Sequence, residues 1–285
     1  MTDDTEETRN SVEPIAYLSR SENRLEILEA LTETIPKPGL DPPGYKPREL
    51  RTMTGASEAT VSRVLTEFQE RGWAERNAQG EYTATPLGQS MAIEFTPLLD
   101  SMAAIQNLGD AVALLPLDQL SIRLQHFGDA TVVRPEGPST LEMSRYLLEL
   151  TDESSTMYSL GYIAVTQDAM DLTTEQTVSG ELDPVYVQAR SVREYRQTSP
   201  DQSEYREQVR SQMEAGAELY TYDGHVPCNL WIFDETVVIE NSQVEGIQNG
   251  TMIESQNDTV REWALEMFGR YREASVENTI EDFDE

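Results

Sequence analysis

TGASEATVSRVLTEFQERGW, residues 54–73, decides the fold of the first half of the chain. From Ser57 onward, Val61, Val64, Leu65 and Phe68 fall at i, i+3, i+4 and i+7, the single apolar stripe of an amphipathic helix. Ser57 is placed to cap that helix. Ala59, Thr60, Ser62 and Arg63 fall on its other faces, so the N-terminal half is small, polar and ends in an arginine. Gly55 stands where a tight turn needs positive φ. Upstream, PRELRTMT fits a short helix with Pro47 at its first position. Downstream, the sequence predicts a strand over Trp73–Arg76, a tip at Asn77–Gly80 and a return strand over Glu81–Ala84. Helix, short helix, turn, helix, hairpin is the order of a winged helix-turn-helix, whose recognition helix offers its N-terminal residues to major-groove base edges.

Such a head must work in a very acidic chain. The 285 residues carry 52 Asp and Glu against 21 Lys and Arg, a formal charge of −31, and Lys37 and Lys46 are the only lysines. This composition resembles that of proteins from salt-in halophiles, which hold hydrated cations on their carboxylates. Residues 46–76 depart from it, with six basic residues against five acids. At about 1 M salt the Debye length is only about 3 Å, so distant carboxylates are hidden from a phosphate. The same screening removes counterion release, and affinity must then lean on base contacts and shape. The expected base or near-base contacts are Ala59, Thr60, Ser62 and Arg63, and Ser57 is expected within the same DNA-binding surface. Lys46, Arg48, Arg51 and Arg76 are expected at phosphates, and Asn77 and Gln79 at the wing tip. Glu58 opposes this reading, since it suits the helix dipole but not a phosphate. The alternative is a winged helix that docks proteins of the transcription machinery without touching DNA.

Around the head, the polar residues 1–13 read as a disordered acidic tail and 14–88 as the complete winged-helix domain. Five prolines between Pro36 and Pro47 force a loop. Residues 89–116 read as a connecting or dimerisation helix, kinked or broken at Pro97, with Met91, Phe95, Leu98, Met102, Ile105 and Val112 as a heptad-like seam. A homodimer would set the spacing of two heads, although the same stripe could pack within the chain.

Residues 117–275 alternate helical and strand-like patterns, a mixed α/β domain, and 276–285 read as a frayed acidic tail. STMYSLGYIAV and LYTYDG read as strands, CNLWIFD and TVVIEN as a hairpin around Asp234 and Glu235, and DPVYVQARSVREYRQ as broadly helical. The whole is α+β: a winged helix, a connecting helix and a mixed α/β domain.

YLSRSENRLEILEAL, TGASEATVSRVLTEFQERGW and YTATPLG, followed by ALLPLDQL, YDGHVPCNLWIFDETVVIEN and EWALEMFGRYREAS, resemble haloarchaeal winged-helix regulators related to the archaeal methanogenesis regulator of filament type. The likeness runs over about residues 14–275, and the proline-rich 35–47 segment is longer than the family leads one to expect. The resemblance implies a transcription regulator whose second domain receives a signal, related to sugar-sensing domains that are themselves similar to halves of phospholipase D. Phospholipase D chemistry needs a histidine with a lysine two residues on, and neither His126 nor His225 has one.

No phosphate loop ending in lysine and no G-x-S-x-G elbow occurs. Two histidines and the single Cys228 are too few for an ordinary zinc site, so neither metal nor cofactor is expected and the chain does not read as an enzyme. Cys228 reads as a small buried hydrophobe before a strand, with a redox-sensing thiol as the minor alternative. For a small-molecule effector the candidates are Arg193, Tyr220, Tyr222, His225 and Trp231, on one sheet or its bordering helix. No apolar run is long enough for a membrane span, and the acidic start is no signal peptide, so a cytoplasmic protein with double-stranded DNA as partner is expected.

Overall fold

The computed structural model describes residues 12–32, 44–135, 141–162, 166–198, 203–241, 244 and 246–283, and divides into two compact units, 1–100 and 101–285. The fold is α+β. Most of the presumed N-terminal tail and of the proline-rich segment lies outside the described residues.

The first unit contains α1 (residues 12–18), α2 (Glu22–Thr32), α3 (Pro47–Thr54), α4 (Glu58–Glu70), β1 (Ala74–Arg76), β2 (Tyr82–Ala84) and the start of α5 (Pro86–Leu108). Ser57 caps α4, its side chain accepting from the Thr60 N–H at 3.2 Å. Gly55 closes α3 at φ 68°, and its N–H donates to the Arg51 carbonyl. The expected stripe is the core: Val61, Val64, Leu65 and Phe68 are fully buried, with Leu18, Ile27, Leu28 and Leu50 against them. Tyr17 and Phe68 each pack a ring against Trp73, at 5.6 Å between centroids.

Two features explain local motifs. Tyr45 exchanges backbone hydrogen bonds with Tyr82 (2.9 and 2.8 Å), so the end of the proline-rich stretch adds a bridge to the β1–β2 wing. In TPLG, a Cβ on Gly88 would stand 2.0 Å from the Trp73 carbonyl oxygen, so α5 crosses the end of α4's loop where only glycine fits.

α5 runs unbroken through Pro97 but stops at Leu108, where Gly109 takes φ 58° and a 3-10 turn, Gly109–Leu114, follows. The expected α-helix to 116 is thus too long, because the glycine admits a left-handed exit. Nor is its stripe one seam: Phe95 is buried in the first unit's core, whereas Leu98 and Met102 are exposed.

The second unit is built on an eight-stranded sheet, ordered β10-β6-β5-β4-β7-β8-β9-β3, from β3 (Thr131–Val133), β4 (Thr156–Gly161), β5 (Asp183–Ala189), β6 (Glu218–Tyr222), β7 (Asn229–Phe233), β8 (Thr236–Glu240), β9 (Met252–Ser255) and β10 (Val276–Glu277). β4, β5 and β6 are parallel and the other pairs antiparallel. Two right-handed crossovers in the same direction put their helices on the same face. α7 (Gln167–Ser179) and α9 (Ser203–Glu214) accordingly share that face with α6 (Leu141–Asp152), and α10 (Asp258–Glu273) packs into the core on the other.

Three expectations fail here. DPVYVQA is β5, with Val185, Val187 and Ala189 in the α10-side core and Tyr186 and Gln188 facing the opposite way; this period-2 alternation outweighs helix propensity, and only α8 (Arg190–Thr198) is helical. Residues 276–283 are no loose tail: Val276 and Glu277 pair with Thr221 and Tyr220, and a 3-10 turn spans Ile280–Phe283. Glu13, placed with the N-terminal tail by composition, is in α1 and holds Arg71 through two hydrogen bonds of 2.6 and 2.7 Å. Among the described residues no helix is long and apolar enough to cross a membrane.

Candidate nucleic-acid interface

The outer face of α4 carries the expected short, polar surface. Ser57, Ala59, Ser62 and Arg63 are exposed and Thr60 is half-buried. The Ser57 hydroxyl also lies 2.8 Å from Thr60 Oγ1, so these two side chains serve the cap as well as any ligand. Arg48, Arg51, Arg76 and Gln79 are exposed, with Lys46 half-buried at the start of α3. The Lys46 N–H donates to Glu49 Oε2 at 2.7 Å, which ties that carboxylate to the helix start. Asn77 holds the wing tip: its Oδ1 accepts from the N–H groups of Gln79 and Glu81, and its Nδ2 donates to Glu81. The Arg76 guanidinium lies 5.6 Å from the Tyr82 ring.

The charges around this face are sorted by partner. Glu67 accepts from the Tyr17 hydroxyl at 2.5 Å and pairs with Arg24 at 3.3 Å; the tyrosine hydrogen bond, with the nearby arginines, holds its carboxyl below the usual range against the effect of burial. Burial and the same bond push Tyr17 up to about 12. Arg71, counted among the basic residues of the head, is turned toward Glu13 and lies 3.8 Å from the Tyr17 ring. One acid and one base are thereby engaged within the domain, leaving Lys46, Arg48, Arg51, Arg63 and Arg76 beside Glu49, Glu58, Glu70 and Glu75. Arg63 rests on Glu67 at 3.1 Å with its side chain 55 % exposed. An exposed pair of this spacing contributes only about 0.3–0.5 kcal/mol, so Arg63 can leave it for a nucleic-acid acceptor.

The five residues named for an effector are not brought together. Tyr220 and Tyr222 lie on the α10 side of the sheet, Tyr220 donating to Glu218 (2.7 Å) and Tyr222 packing edge-on against Tyr271 (4.9 Å). Arg193 pairs with Asp282 at 2.7 Å, and His225 is exposed in the β6–β7 loop. Trp231 faces the other way, into a cavity of about 290 Å³ between the sheet and helices α6, α7 and α9. Sequence reasoning missed Glu240, Asn229 and Gln188, which line this cavity; the signal available was a polar residue at or next to the end of a largely apolar strand. Cys228 is buried, and burial pushes its thiol up to about 12, unlike a reactive redox thiol. Among the described residues no group of three or more His, Cys, Asp or Glu could hold a metal ion.

The chain thus combines a winged helix with a sheet domain that holds a cavity. Residues 12–107 match the family described as HVO_A0261 N-terminal domain, and residues 141–274 match the middle domain of methanogenesis regulatory protein FilR1. Both matches agree with the resemblance that the motifs carry, and these regulator-type domains favour a role other than catalysis. No curated protein sequence matches it. Among solved structures, it is similar to TrmBL2, an archaeal chromatin protein, at 15 % identity and TM-score 0.40 over 90 % of this chain and 94 % of that one. A riboflavin-derivative dimethyltransferase from Streptomyces davawensis is more distant, at 13 % identity and TM-score 0.26 over 78 % and 67 %.

Proposed function

We propose that this protein is a cytoplasmic, homodimeric, DNA-binding transcriptional regulator that reads an operator through its winged helix and adjusts its occupancy through the second domain. The observation that carries the reading is the outer face of α4, where a capped helix start presents Ala59, Ser62 and Arg63 outward, with arginines on α3 and the wing beside it. Arg63, with Ser57, Ala59, Thr60 and Ser62, takes the base side. Lys46, Arg48, Arg51 and Arg76 take phosphates, and Gln79 takes the wing tip, with Asn77 holding its turn. Exposure of Leu98 and Met102 on α5 supports a second copy as partner. The protein has no catalytic role in this reading, and a small molecule is its effector.

The test is fluorescence anisotropy of duplexes from the gene's own upstream region and of a random library, in roughly 1–2 M KCl. Arg63→Ala is expected to weaken specific binding by about 1–3 kcal/mol. With four phosphate contacts, the slope of log affinity against log salt is expected to be about −3.6, from about −0.9 per contact. Binding that is unchanged by Arg63→Ala refutes the base-reading assignment. No saturable binding to either the duplex or the library favours a protein-docking adaptor instead.

A further inference from the structure

The cavity on the α6, α7 and α9 side of the sheet has a polar end and apolar walls. At the polar end, Glu240 closes β8 and is 3 % exposed. Its Oε2 accepts from Asn229 Nδ2 at 2.6 Å. The other half of the Asn229 amide is fixed as well, because its Oδ1 accepts from the Tyr162 N–H at 2.8 Å. Gly161 makes room for this arrangement: a Cβ there would meet Asn229 Oδ1 at 2.2 Å, and its φ of 147° belongs to glycine. Ser159 and Gln188, also buried, line the cavity on β4 and β5.

The walls are aromatic and thioether: Trp231, Tyr186, Phe233, Met157 and Met170. Among the described residues, Glu240 is the single acid that lines the cavity, and no Lys, Arg or His lines it. Burial pushes the Glu240 carboxyl above the usual range, and the Asn229 hydrogen bond opposes this. One neutral hydrogen bond does not offset the desolvation of a carboxylate, which needs an opposite charge or several donors. An anion entering here would meet that acid in a low-dielectric site with no basic partner. A cation would meet the acid and the faces of aromatic rings, both attractive.

We propose that this cavity is the receptor site for a small organic cation, a protonated amine on an apolar or aromatic body, whose ammonium group pairs with Glu240 while Trp231 and its neighbours enclose the body. The volume, about 290 Å³, sits at the lower end of small-molecule sites, which limits the body to one ring system or a short chain. The proposal rests on the reading of this domain as the signal receiver and gives that signal a chemistry.

The test uses the full-length protein and head-group series on matched bodies: phenethylamine, hexylamine and tryptamine, each with the alcohol and the carboxylate of the same body. Binding is read by thermal shift for all and by tryptophan fluorescence for the non-indole probes. At least one amine is expected to bind tenfold or more tightly than its alcohol, with no binding of its carboxylate. Glu240→Gln should remove that preference and leave the alcohol's affinity within a factor of two. If no amine binds, if amine and alcohol bind alike, or if Glu240→Gln keeps the preference, the proposal is overturned; should the variant not fold, the series on the natural protein decides alone. Amine binding that leaves operator affinity unchanged upholds the site and overturns the sensor reading, so the two failures are distinct.

Discussion

The two units treat polar groups in opposite ways. Among the described residues, every buried polar or charged side chain lies between Thr151 and Asn278, within the second unit, whereas the first unit's buried set is apolar apart from tyrosine and tryptophan heads. Burying a polar group costs free energy unless it is satisfied, so a domain keeps such groups inside only where they hold structure or meet something. The first unit therefore has an inert interior and a working surface. The second has hydrogen-bonded structural groups, such as Gln212 bonding Tyr186 and Thr174, and beside them an acid on a cavity wall.

Four measurements would break or sharpen that contrast. The largest effect is expected from Phe68→Ala, which removes a fully buried ring packed against both Tyr17 and Trp73 and should destabilise the first unit by about 3–5 kcal/mol. In calorimetry the transition of the second unit should stay in place; a common shift of both would show that the units do not unfold separately. Gly88→Ala comes next, at about 1–3 kcal/mol, because its Cβ meets the Trp73 carbonyl, a backbone atom, and chemical denaturation of a fragment ending near residue 108 would measure it.

Ser57→Ala should cost about 1 kcal/mol through the lost cap, while Ser57→Asn should restore the stability. Operator affinity that recovers equally in the Asn variant would assign Ser57 to structure alone. The smallest effect belongs to Glu240. A carboxyl raised in the folded state contributes stability that is fully present below its unfolded value of about 4.3 and is lost as pH rises through its folded value. Between about pH 4 and 8, thermal melts of the second unit should therefore fall more steeply for the natural protein than for Glu240→Gln; parallel curves would remove Glu240 as a buried titrating group.

Most of the first unit was legible because its signals are local. The 3.6-residue stripe, the Ser57 cap, Gly55 and the Asn77–Gly80 tip each act within a few residues, and each stands where the pattern puts it. The Tyr45 bridge was not legible, since its partner Tyr82 lies across two helices of sequence. In the second unit the β7–β8 hairpin could be read from its turn. There Asp234 takes φ 43°, and its carboxylate, which burial alone would raise, is held below the usual range by hydrogen bonds from Ser155 and Thr156. β5 was misread because a parallel strand buried on both faces shows little of the polar alternation that marks an exposed one. The effector residues were misplaced for a related reason: Tyr220 and Trp231 look alike in sequence, and only the pairing order of the sheet puts them on opposite faces.

The sheet's outer strands have a consequence for how the chain is made. β3 lies at one edge and pairs only with β9, joining Thr131 to Glu254, while the opposite edge joins Thr221 to Val276. A ribosome that has released residue 108 has delivered every strand and helix of the winged helix, whose buried core runs from Tyr17 to Phe95. The second domain must wait until Glu277 has emerged, with β3 unpaired until β9 has followed. A nascent chain would thus display a finished winged helix for the whole time its second domain is still being translated.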